Sequence, residues 1–333
     1  MSLTARLRGV AFALLLVATA LVGSTLLLPP AILLPLGFKK LYAKYASVIA
    51  WWWFSCAAAA IEVIGGVRYE IAGDVPDDKK VLVICNHHCR LDWLYLWPLV
   101  MRHGKCSALH VTLKDSLRSA PFFGWAMQAF GFAFVSRRDR AGDLDVIQSS
   151  LAGRTPLWAL LFPEGTDLSE SNVAKSQKHG STLKPPIKWS HVLVPRAAGF
   201  AAAVEAMGSP AIYDLTIAYD NVGRPDEPSM LAGRFPRRVI VRADRHRPPR
   251  DAKKWLFERW ALKEERLAAG LTGEPSASSN ALVHVLCGAF IAALACYALC
   301  VDRRVRRAFY ATSALWVGVG KVGGLDAFLL SGS

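Results

Sequence analysis

The sequence predicts an α/β domain with membrane helices at both ends of the chain, and three observations support this fold class. Hydrophobic residues make up 53% of the 333 residues, and the longest apolar stretches lie near the two termini. Between them, short apolar runs with the length of buried strands recur along the chain. Segments with helical composition separate these runs, which is the alternation expected of an α/β layer architecture.

The N-terminal part, residues 1–63, is predicted to form a membrane hairpin. Thirty residues between Arg8 and Lys39 carry no charge, and as one helix they would measure about 45 Å, more than a hydrocarbon core of about 30 Å. Pro29-Pro30 should end the helix that begins at Gly9 near Leu28. The next uncharged run, Tyr45–Ile61, contains three tryptophans in a row, a composition typical of the membrane interface.

The alternative for the first segment is a cleaved signal peptide, because two arginines precede its apolar region. The apolar run is longer than the usual signal core of about 7–15 residues, and a second hydrophobic segment follows at once. A retained membrane helix is therefore the prediction.

The C-terminal part, residues 281–333, is predicted to return to the membrane. The uncharged run Ala281–Val301 is long enough to span a bilayer, whereas Ala308–Gly320 is short enough to be re-entrant, interfacial or tilted. Residues 64–270 then form the globular domain, and residues 271–280 a linker in which Gly273–Asn280 has loop composition.

Within residues 64–270 the elements follow from local patterns. The predicted strands are Val81–Cys85, Phe132–Val135, Leu157–Phe162, Ile212–Tyr219 and Arg238–Arg242. The predicted helices are Asp92–Met101, Asp143–Gly153 and Ala252–Ala269, and Ser169–Pro186 is predicted to be a surface loop.

Charge and cysteine content restrict the partners and the compartment. The chain has 40 basic and 26 acidic residues, a net charge of +14, which suits nucleic acid, phospholipid headgroups or a nucleotide-bearing cofactor. The membrane segments favour the last two, so no nucleic-acid partner is expected. Seven scattered cysteines form no recognisable disulfide framework, which indicates a reducing compartment.

His87 and Asp92 follow the strand Val81–Cys85, at the edge where α/β sheets collect functional groups. Five residues apart, they would diverge by about 140° on one straight helix, so they meet only if His87 lies in the loop and Asp92 in the first helical turn. A carboxylate there can orient the imidazole as a base, and a substrate hydroxyl can be the nucleophile.

Two other readings of this loop stay open. For His87 taken alone, a hydrogen-bonded structural histidine at a strand end is the better interpretation. Cys85, His87, His88, Cys89 and Asp92 also invite a zinc site, but they lack the paired ligand arms of zinc sites, so no metal is expected.

Three further segments place reactive side chains where predicted strands end. Gly131–Arg138 carries Arg137, a guanidinium suited to phosphate. Leu160–Asp167 displays Glu164 after Pro163 and before the tight turn at Gly165. Val194-Pro195-Arg196 is taken as another strand exit with a cation. Four such exits together indicate one shared site.

These motifs resemble those of the glycerolipid acyltransferases, the family of 1-acylglycerol-3-phosphate acyltransferase. The matching motifs, in family order, are His87-x4-Asp92, Gly131-x2-Phe134-x2-Arg137, Phe162-Pro163-Glu164-Gly165-Thr166 and Val194-Pro195. Flanking segments such as Leu113–Leu117 and Pro121–Gln128 look most like the lysocardiolipin and lysophosphatidylinositol acyltransferase branch. Asp167 departs from the pattern, because many lysophosphatidate enzymes have arginine there.

The resemblance implies a glycerolipid-acyltransferase-like αβ domain at residues 64–270, which transfers an acyl group from acyl-CoA to the hydroxyl of a lysophospholipid. His87, oriented by Asp92, would be the general base; Arg137 would hold the acceptor phosphate. Glu164 and Gly165 would position the glycerol end, with the amides of the His87 and Gly165 loops as candidate oxyanion donors. Phe134 and Thr166 complete the substrate-binding set, and Lys114 and Arg196 are candidates for CoA phosphates or anionic headgroups.

No cofactor is implied, since acyl-CoA is a co-substrate, and the partners are the acceptor, the donor and the lipid bilayer. Cys89 is not expected to be the nucleophile, because nearby Asp92 would not lower the pKa of a thiol. The branch resemblance and the reducing compartment together favour the endoplasmic reticulum, with the catalytic domain at the membrane surface.

Two other functions compete with acyl transfer. A catalytically silent lipid-binding protein of the same fold would have a broken His/Asp pair. A membrane thioesterase or lipid hydrolase would use the same base with water in place of the lipid hydroxyl.

Overall fold

A computed structural model describes residues 2–74, 78–136, 138–220, 225–277, 280–321, 324, 325 and 329. The chain clusters into two compact units. Unit 1 comprises Met1–Gly9, Gly65–Leu96 and Leu151–Ala277; unit 2 comprises Val10–Ile64, Trp97–Ser150 and Ser278–Ser333. The domain boundaries drawn from the sequence stay predictions.

The elements alternate between helices and strands, as the α/β prediction requires. The helices are α1 (Leu3–Leu27), α2 (Lys39–Val63), α3 (Asp92–Tyr95), α4 (Trp97–Arg102), α5 (Phe123–Ala129), α6 (Arg140–Leu151), α7 (Glu170–Gly180), α8 (Ala197–Ala206), α9 (Glu227–Leu231), α10 (Ala252–Ala269), α11 (Ala281–Val301) and α12 (Arg303–Lys321). The strands are β1 (Arg68–Gly73), β2 (Lys80–Cys85), β3 (Leu109–Lys114), β4 (Ala133–Val135), β5 (Leu157–Leu161), β6 (Ala211–Tyr219), β7 (Arg238–His246) and β8 (Glu274–Ser276). Short 3₁₀ turns lie at Pro29–Leu33, Cys106–Ala108 and Asp115–Leu117.

Unit 1 is built on a mixed sheet with the strand order β5-β2-β6-β7-β1-β8. Strand β2 lies between β5 and β6 and is parallel to both. Val81, Leu82 and Ile84 have no solvent exposure, because a central strand of such a sheet is covered on both faces. The carboxyl end of β2 therefore opens at the centre of the sheet edge. In unit 2, β3 and β4 pair in parallel.

All five predicted strands are present, and three more were not predicted. Strand β1 carries charges among its apolar residues, β3 (LHVTLK) has polar residues between its apolar ones, and β8 falls within the predicted linker. The loop prediction for Gly273–Asn280 is therefore wrong at β8, which pairs antiparallel with β1. A side chain at Gly273 would approach the backbone of Glu70 within 2.9 Å, so glycine permits this edge pairing.

The helix predictions hold with two corrections. Ala252–Ala269 is reproduced as α10, and the predicted Asp143–Gly153 helix begins earlier, at Arg140, as α6. The predicted helix Asp92–Met101 is divided into α3 and α4 around Leu96, because Pro98 has no amide to continue the helical hydrogen bonds.

The surface-loop prediction for Ser169–Pro186 is wrong, since α7 occupies most of it. Glu170 lies in the first turn of α7, and Lys178 and His179 lie in the last. Each charge is of the sign that the helix dipole favours at that end. Few of the residues in this helix are apolar, so the periodic apolar signal used for the other helices is weak here.

Unit 2 contains the helical hairpin predicted near the N-terminus, and its position in a membrane stays a prediction. Tyr42 and Tyr45 of α2 donate hydrogen bonds to the carbonyls of Leu27 and Leu26, each at 3.1 Å. Helix α1 ends at Leu27, and Pro29–Leu33 forms the turn that the two prolines predict. Trp53 lies in the interior of unit 2 against Trp97, at 5.5 Å between ring centroids. The interfacial position expected of the three tryptophans stays a prediction.

In the part of the chain that the structure describes, three helical segments are long and apolar enough to cross a membrane. They are Leu3–Leu33, Lys39–Val63 and Ala281–Val301. Helix α12 extends the predicted Ala308–Gly320 segment back to Arg303 and is not among these three. The charged first turn of α12 explains the difference, since four arginines precede Ala308.

Candidate active site

The position of His87 is set by a side chain that extends the sheet. Asn86, just beyond β2, donates from Nδ2 to the carbonyl of Ile217 at 3.1 Å and accepts from the amide of Ile217 at 2.9 Å. These paired bonds to β6 fix the point at which the chain leaves the sheet. The next residue, His87, stacks its imidazole on Phe162, with 4.3 Å between ring centroids.

Asp92 is fully buried beneath this loop and accepts four hydrogen bonds. His87 Nδ1 lies 2.9 Å from Oδ2, and the Cys89 amide donates to the same oxygen at 3.0 Å. The Cys89 thiol and the Tyr219 hydroxyl donate to Oδ1, at 3.1 and 2.6 Å. With Asp92 ionised, the hydrogen of the imidazole is on Nδ1, so Nε2 has the lone pair that a general base requires. His87 lies in the loop and Asp92 in the first helical turn, which is the geometry that the spacing predicts.

Glu164 is turned into the protein instead of being displayed at the sheet edge, so the expected exposure is wrong. Its side chain is 2% exposed. Oε1 accepts from Trp260 Nε1 at 2.9 Å and from the His87 amide at 3.3 Å. Oε2 is buried and has no hydrogen-bond partner within the described ranges. Burial raises the pKa of Glu164 to about 7, against the opposing effects of the Trp260 hydrogen bond and of His87.

Among the amides of the two loops expected to supply oxyanion donors, those of His87 and Gly165 are engaged. The His87 amide donates to Glu164, and the Gly165 amide donates to the Phe162 carbonyl at 3.0 Å. Gly165 has φ +74, in the region that favours glycine, so the predicted tight turn is present. In this arrangement neither amide is free to stabilise an oxyanion.

The segment after Gly165 is tied to the His87 loop. Leu168 donates its amide to the His87 carbonyl at 2.8 Å. Asn172 Nδ2 donates to Thr166 Oγ1 at 2.9 Å and to the Asp167 carbonyl at 3.0 Å. Thr166 is therefore held as part of this loop structure.

Arg196 reaches the same site by a route that the sequence does not predict. Among the described residues, no strand leads directly into Arg196, which is the N-cap residue of α8. The expected strand exit at Val194-Pro195-Arg196 is therefore wrong. The Arg196 amide donates to the Pro163 carbonyl at 2.7 Å, and its guanidinium would lie 3.7 Å from a β-carbon placed on Gly165. The exposed side chain thus lies over the Gly165 turn.

The remaining predicted site residues are Lys114, Phe134 and Arg137. Lys114 and Phe134 belong to unit 2. Lys114 is exposed at the end of β3, whereas Phe134 is buried, with the Arg118 guanidinium 5.0 Å from its ring centroid. Arg137 lies outside the described residues, and its role stays a prediction.

Cys89 is unsuited to nucleophilic attack. Burial raises the pKa of its thiol well above the ordinary value, and the neighbouring Asp92 carboxylate raises it further. The thiol also donates to Asp92. Because the thiolate is the reactive form, this environment agrees with the expectation from sequence.

Asp214, Asp244 and His246 form a cluster with the donor types of a metal site. However, Arg259 donates to both carboxylates, at 2.6 and 2.9 Å, and Lys263 pairs with Asp214. Cations of the protein already neutralise these carboxylates, so the donor set does not fit a divalent metal ion.

Sequence reasoning missed Tyr219, Phe162 and Trp260. Tyr219 ends β6, next to β2 in the sheet, so its position at a strand end was a signal that could have found it. Phe162 belongs to the motif Phe162-Pro163-Glu164-Gly165-Thr166, but the motif does not predict that its ring stacks on His87. Trp260 lies 96 residues from Glu164 along the chain, and its helix gives no local signal of a role at the site.

Comparison with known proteins gives a consistent result. The family model described as Acyltransferase matches residues 66–220. Lysocardiolipin acyltransferase 1 of Mus musculus is 36% identical over 80% of this chain and 74% of its own length. Probable 1-acyl-sn-glycerol-3-phosphate acyltransferase 5 of Arabidopsis thaliana is 33% identical over 65% of this chain and 60% of its own. Lysophosphatidylinositol acyltransferase 10 of Caenorhabditis elegans is 31% identical, over 65% and 59%.

Proposed function

Since the chain belongs to the acyltransferase family that includes these glycerolipid enzymes, we propose that it transfers a fatty acyl group from acyl-CoA to the free hydroxyl of a lysophospholipid. The His87–Asp92 pair is the observation that carries this proposal. Its Nδ1–Oδ2 distance is 2.9 Å, and the imidazole is 14% exposed. An oriented imidazole with an available Nε2 is the group needed to activate a hydroxyl.

The reaction needs no acyl-enzyme. The acceptor hydroxyl attacks the thioester carbonyl carbon while its proton passes to His87 Nε2. The C–S bond then breaks, and the imidazolium returns the proton to the CoA thiolate. Asp92 holds the ring and stabilises the imidazolium, and the products are the acylated phospholipid and free CoA. The unsuitable thiol of Cys89 supports direct transfer to the acceptor.

The acceptor is proposed to be an anionic lysophospholipid of the lysocardiolipin or lysophosphatidylinositol type, or 1-acylglycerol-3-phosphate. These are the acceptor classes in the names of the relatives. Arg196, exposed over the Gly165 turn, supplies a guanidinium for a phosphate near the base. Arg137 is assigned the same chemistry on its motif. We also propose that the site lies at the membrane surface. The apolar helices support this position, and a lipid acceptor and a soluble donor can meet there.

We place the protein in the endoplasmic reticulum, with its catalytic residues on the reducing side. All seven cysteines are free, as expected where thiols stay reduced. This assignment is tested by cell fractionation together with protease protection of an epitope inserted in residues 181–186, the segment that follows α7.

The function is tested by radiolabelled oleoyl-CoA transfer with detergent-purified protein and a lysophospholipid panel. The panel contains lysophosphatidate, lysophosphatidylinositol, lysocardiolipin, lysophosphatidylcholine and no acceptor. We expect transfer to anionic acceptors, and a loss of about 10²–10⁴-fold in His87→Ala. His179→Ala, an exposed histidine at the end of α7, is the matched control and should keep wild-type activity.

Three results would overturn the proposal. Release of free oleate without an acceptor would indicate a thioesterase or hydrolase. No turnover by folded wild-type protein would indicate a silent lipid-binding protein. Retained transfer in His87→Ala would remove the base from the mechanism.

A further inference from the structure

Helix α10 begins after the residues that match the family, 66–220, yet it contacts two loops of the candidate site. We propose that Trp260 is a positioning residue for His87, acting through Glu164, and that Glu264 is a positioning residue for Arg196, acting through residues 190–192. The inference rests on the proposed function for the roles of His87 and Arg196. Neither Trp260 nor Glu264 touches the reacting atoms in this arrangement.

The first contact is made by the indole of Trp260. It is fully buried, and its N–H donates to Glu164 Oε1 at 2.9 Å. The same oxygen accepts from the His87 amide at 3.3 Å. One carboxylate oxygen therefore connects α10 to the backbone of the proposed base. If the indole N–H is lost, Glu164 Oε1 keeps only the His87 amide as a donor. The carboxylate is then held less firmly beside the His87 backbone.

The second contact is made by the Glu264 carboxylate, one turn further along α10. It accepts from the amides of Ser190, His191 and Val192, at 2.7, 2.8 and 3.0 Å, and lies 3.1 Å from His191 Nδ1. These residues lie outside helices and strands and lead into Arg196. A carboxylate that accepts from successive amides fixes the backbone of the segment it holds. The position of the Arg196 guanidinium depends on that segment.

The position of α10 is also held by ion pairs and hydrogen bonds of Lys263 and Arg259, although Lys263 Nζ lies 5.1 Å from the centroid of the Trp260 ring. Lys263 is fully buried and donates to the Leu215 carbonyl and to Thr216 Oγ1. It also pairs with Asp214, as does Arg259. These buried ion pairs hold α10 against β6, the strand next to β2. Trp260→Phe therefore removes one hydrogen bond from a helix that stays anchored. Glu264→Gln replaces one carboxylate oxygen, and each of these oxygens has two of the four contacts.

The two contacts predict different kinetic effects. Trp260→Phe keeps an aromatic ring but removes the N–H together with part of the buried indole. We expect kcat to fall about tenfold while the KM of each substrate changes less than twofold. Misplacement of a catalytic group by about 1 Å is enough for losses of 10²-fold. Glu264→Gln should raise the KM of the substrate whose phosphate Arg196 holds by about five- to tenfold, with a smaller effect on kcat.

Trp260→Phe also predicts a shift in pH dependence. The Trp260 hydrogen bond favours ionised Glu164, as do the charge of His87 and hydrogen bonds from the backbone of Leu193 and His87. The Cys85 thiol interacts with Glu164 and also with Lys263, Asp92 and Asp214. Without the indole N–H, Glu164 is protonated at higher pH. Because ionised Glu164 favours the imidazolium that forms on His87, the fall in kcat that accompanies protonation of Glu164 should move to higher pH, an effect that loss of packing alone does not produce.

Matched controls lie on the same helix. Trp255→Phe alters a half-buried tryptophan that stacks on Phe200 at 5.5 Å, and Glu265→Gln alters the exposed neighbour of Glu264. Both should retain wild-type kcat and KM. In the double variant of Trp260→Phe and Glu164→Gln, kcat should equal that of Glu164→Gln alone, because Trp260 acts through Glu164.

The experiment is steady-state oleoyl transfer by the purified full chain, with carbethoxylation of His87 by diethylpyrocarbonate followed by peptide mass spectrometry across pH. A shifted pH profile of His87 labelling in Trp260→Phe supports the first contact, whether or not the wild-type protein transfers an acyl group. Absence of acyl transfer by the wild-type protein would refute only the proposed function. Unchanged kcat and labelling in folded Trp260→Phe would overturn the Trp260 assignment. An unchanged KM in Glu264→Gln would overturn the Glu264 assignment.

Discussion

Replacing Asp92 with asparagine tests the catalytic pair with the smallest change in shape. Asp92 accepts from His87 Nδ1, from the amide and thiol of Cys89 and from the Tyr219 hydroxyl. An asparagine amide keeps one accepting oxygen and turns an NH₂ group toward the remaining donors. The His87 ring can then present its hydrogen on Nε2, the atom that must accept the hydroxyl proton.

The expected loss follows from these contacts. A serine-protease triad in which the carboxylate becomes an amide loses about 10⁴-fold in kcat through the wrong imidazole tautomer. A loss of about 10³–10⁴-fold in kcat is therefore expected here, with KM nearly unchanged, since Asp92 is buried and does not face substrate. Hydrogen bonds to a charged group contribute about 1.5–3 kcal/mol each to stability, so the variant should also be less stable.

Single-turnover transfer of labelled oleoyl-CoA, with folding checked by the melting transition in detergent, separates the two effects. Tyr219→Phe is the matched control, because it removes the 2.6 Å bond to Asp92 and leaves the carboxylate in place; it should cost about tenfold or less. An Asp92→Asn protein that is folded and retains more than a tenth of wild-type kcat would refute the orienting role.

Three other variants test separate parts of the site. Cys89→Ser should retain most transfer activity, because the buried thiol is not the nucleophile; acyl-enzyme trapped on wild-type protein and absent from the variant would contradict this. Arg137→Ala should raise the acceptor KM more than the acyl-CoA KM, and the opposite pattern would reassign the residue. Burial raises the pKa of Glu164 from 4.5 to about 7, so the folded chain binds that proton more tightly than the unfolded chain. The free energy of unfolding should therefore fall as pH rises from 4.5 to about 7, by up to about 3 kcal/mol. Glu164→Gln should flatten the pH dependence of the free energy of unfolding measured by chemical denaturation, and an unchanged pH dependence would disprove this assignment to Glu164.

The sequence could predict the central strands and the catalytic pair because both leave local signals. Strands β2 and β5 are buried on both faces, which requires continuous apolar runs. The spacing of His87 and Asp92 permits only a loop-to-helix geometry, and that geometry is present. Helix α7 and strand β8 gave no such signal, since one is largely polar and the other is three residues long at a sheet edge.

The errors at the site concern where side chains point. Glu164 follows a strand end, as expected, but its carboxylate turns inward to Trp260, a partner 96 residues away in sequence. Arg196 reaches the site from the start of a helix, after a segment held by Glu264. Such long-range contacts depend on how α10 packs on the sheet, and no local pattern in the motifs records that packing.

The two buried carboxylates around His87 are held in different ways, and the difference has a functional consequence. Asp92 is surrounded by four donors, which offset the cost of burying its charge. Glu164 has two donors on one oxygen and none on the other among the residues described. Glu164 is therefore less stable as an anion than Asp92. A positive charge on the His87 imidazole favours ionised Glu164. Because such coupling is reciprocal, ionised Glu164 favours the imidazolium that forms in the transition state. A carboxylate that destabilises the resting fold near neutral pH thus lowers the barrier for proton transfer, as expected when strain is concentrated at a functional site.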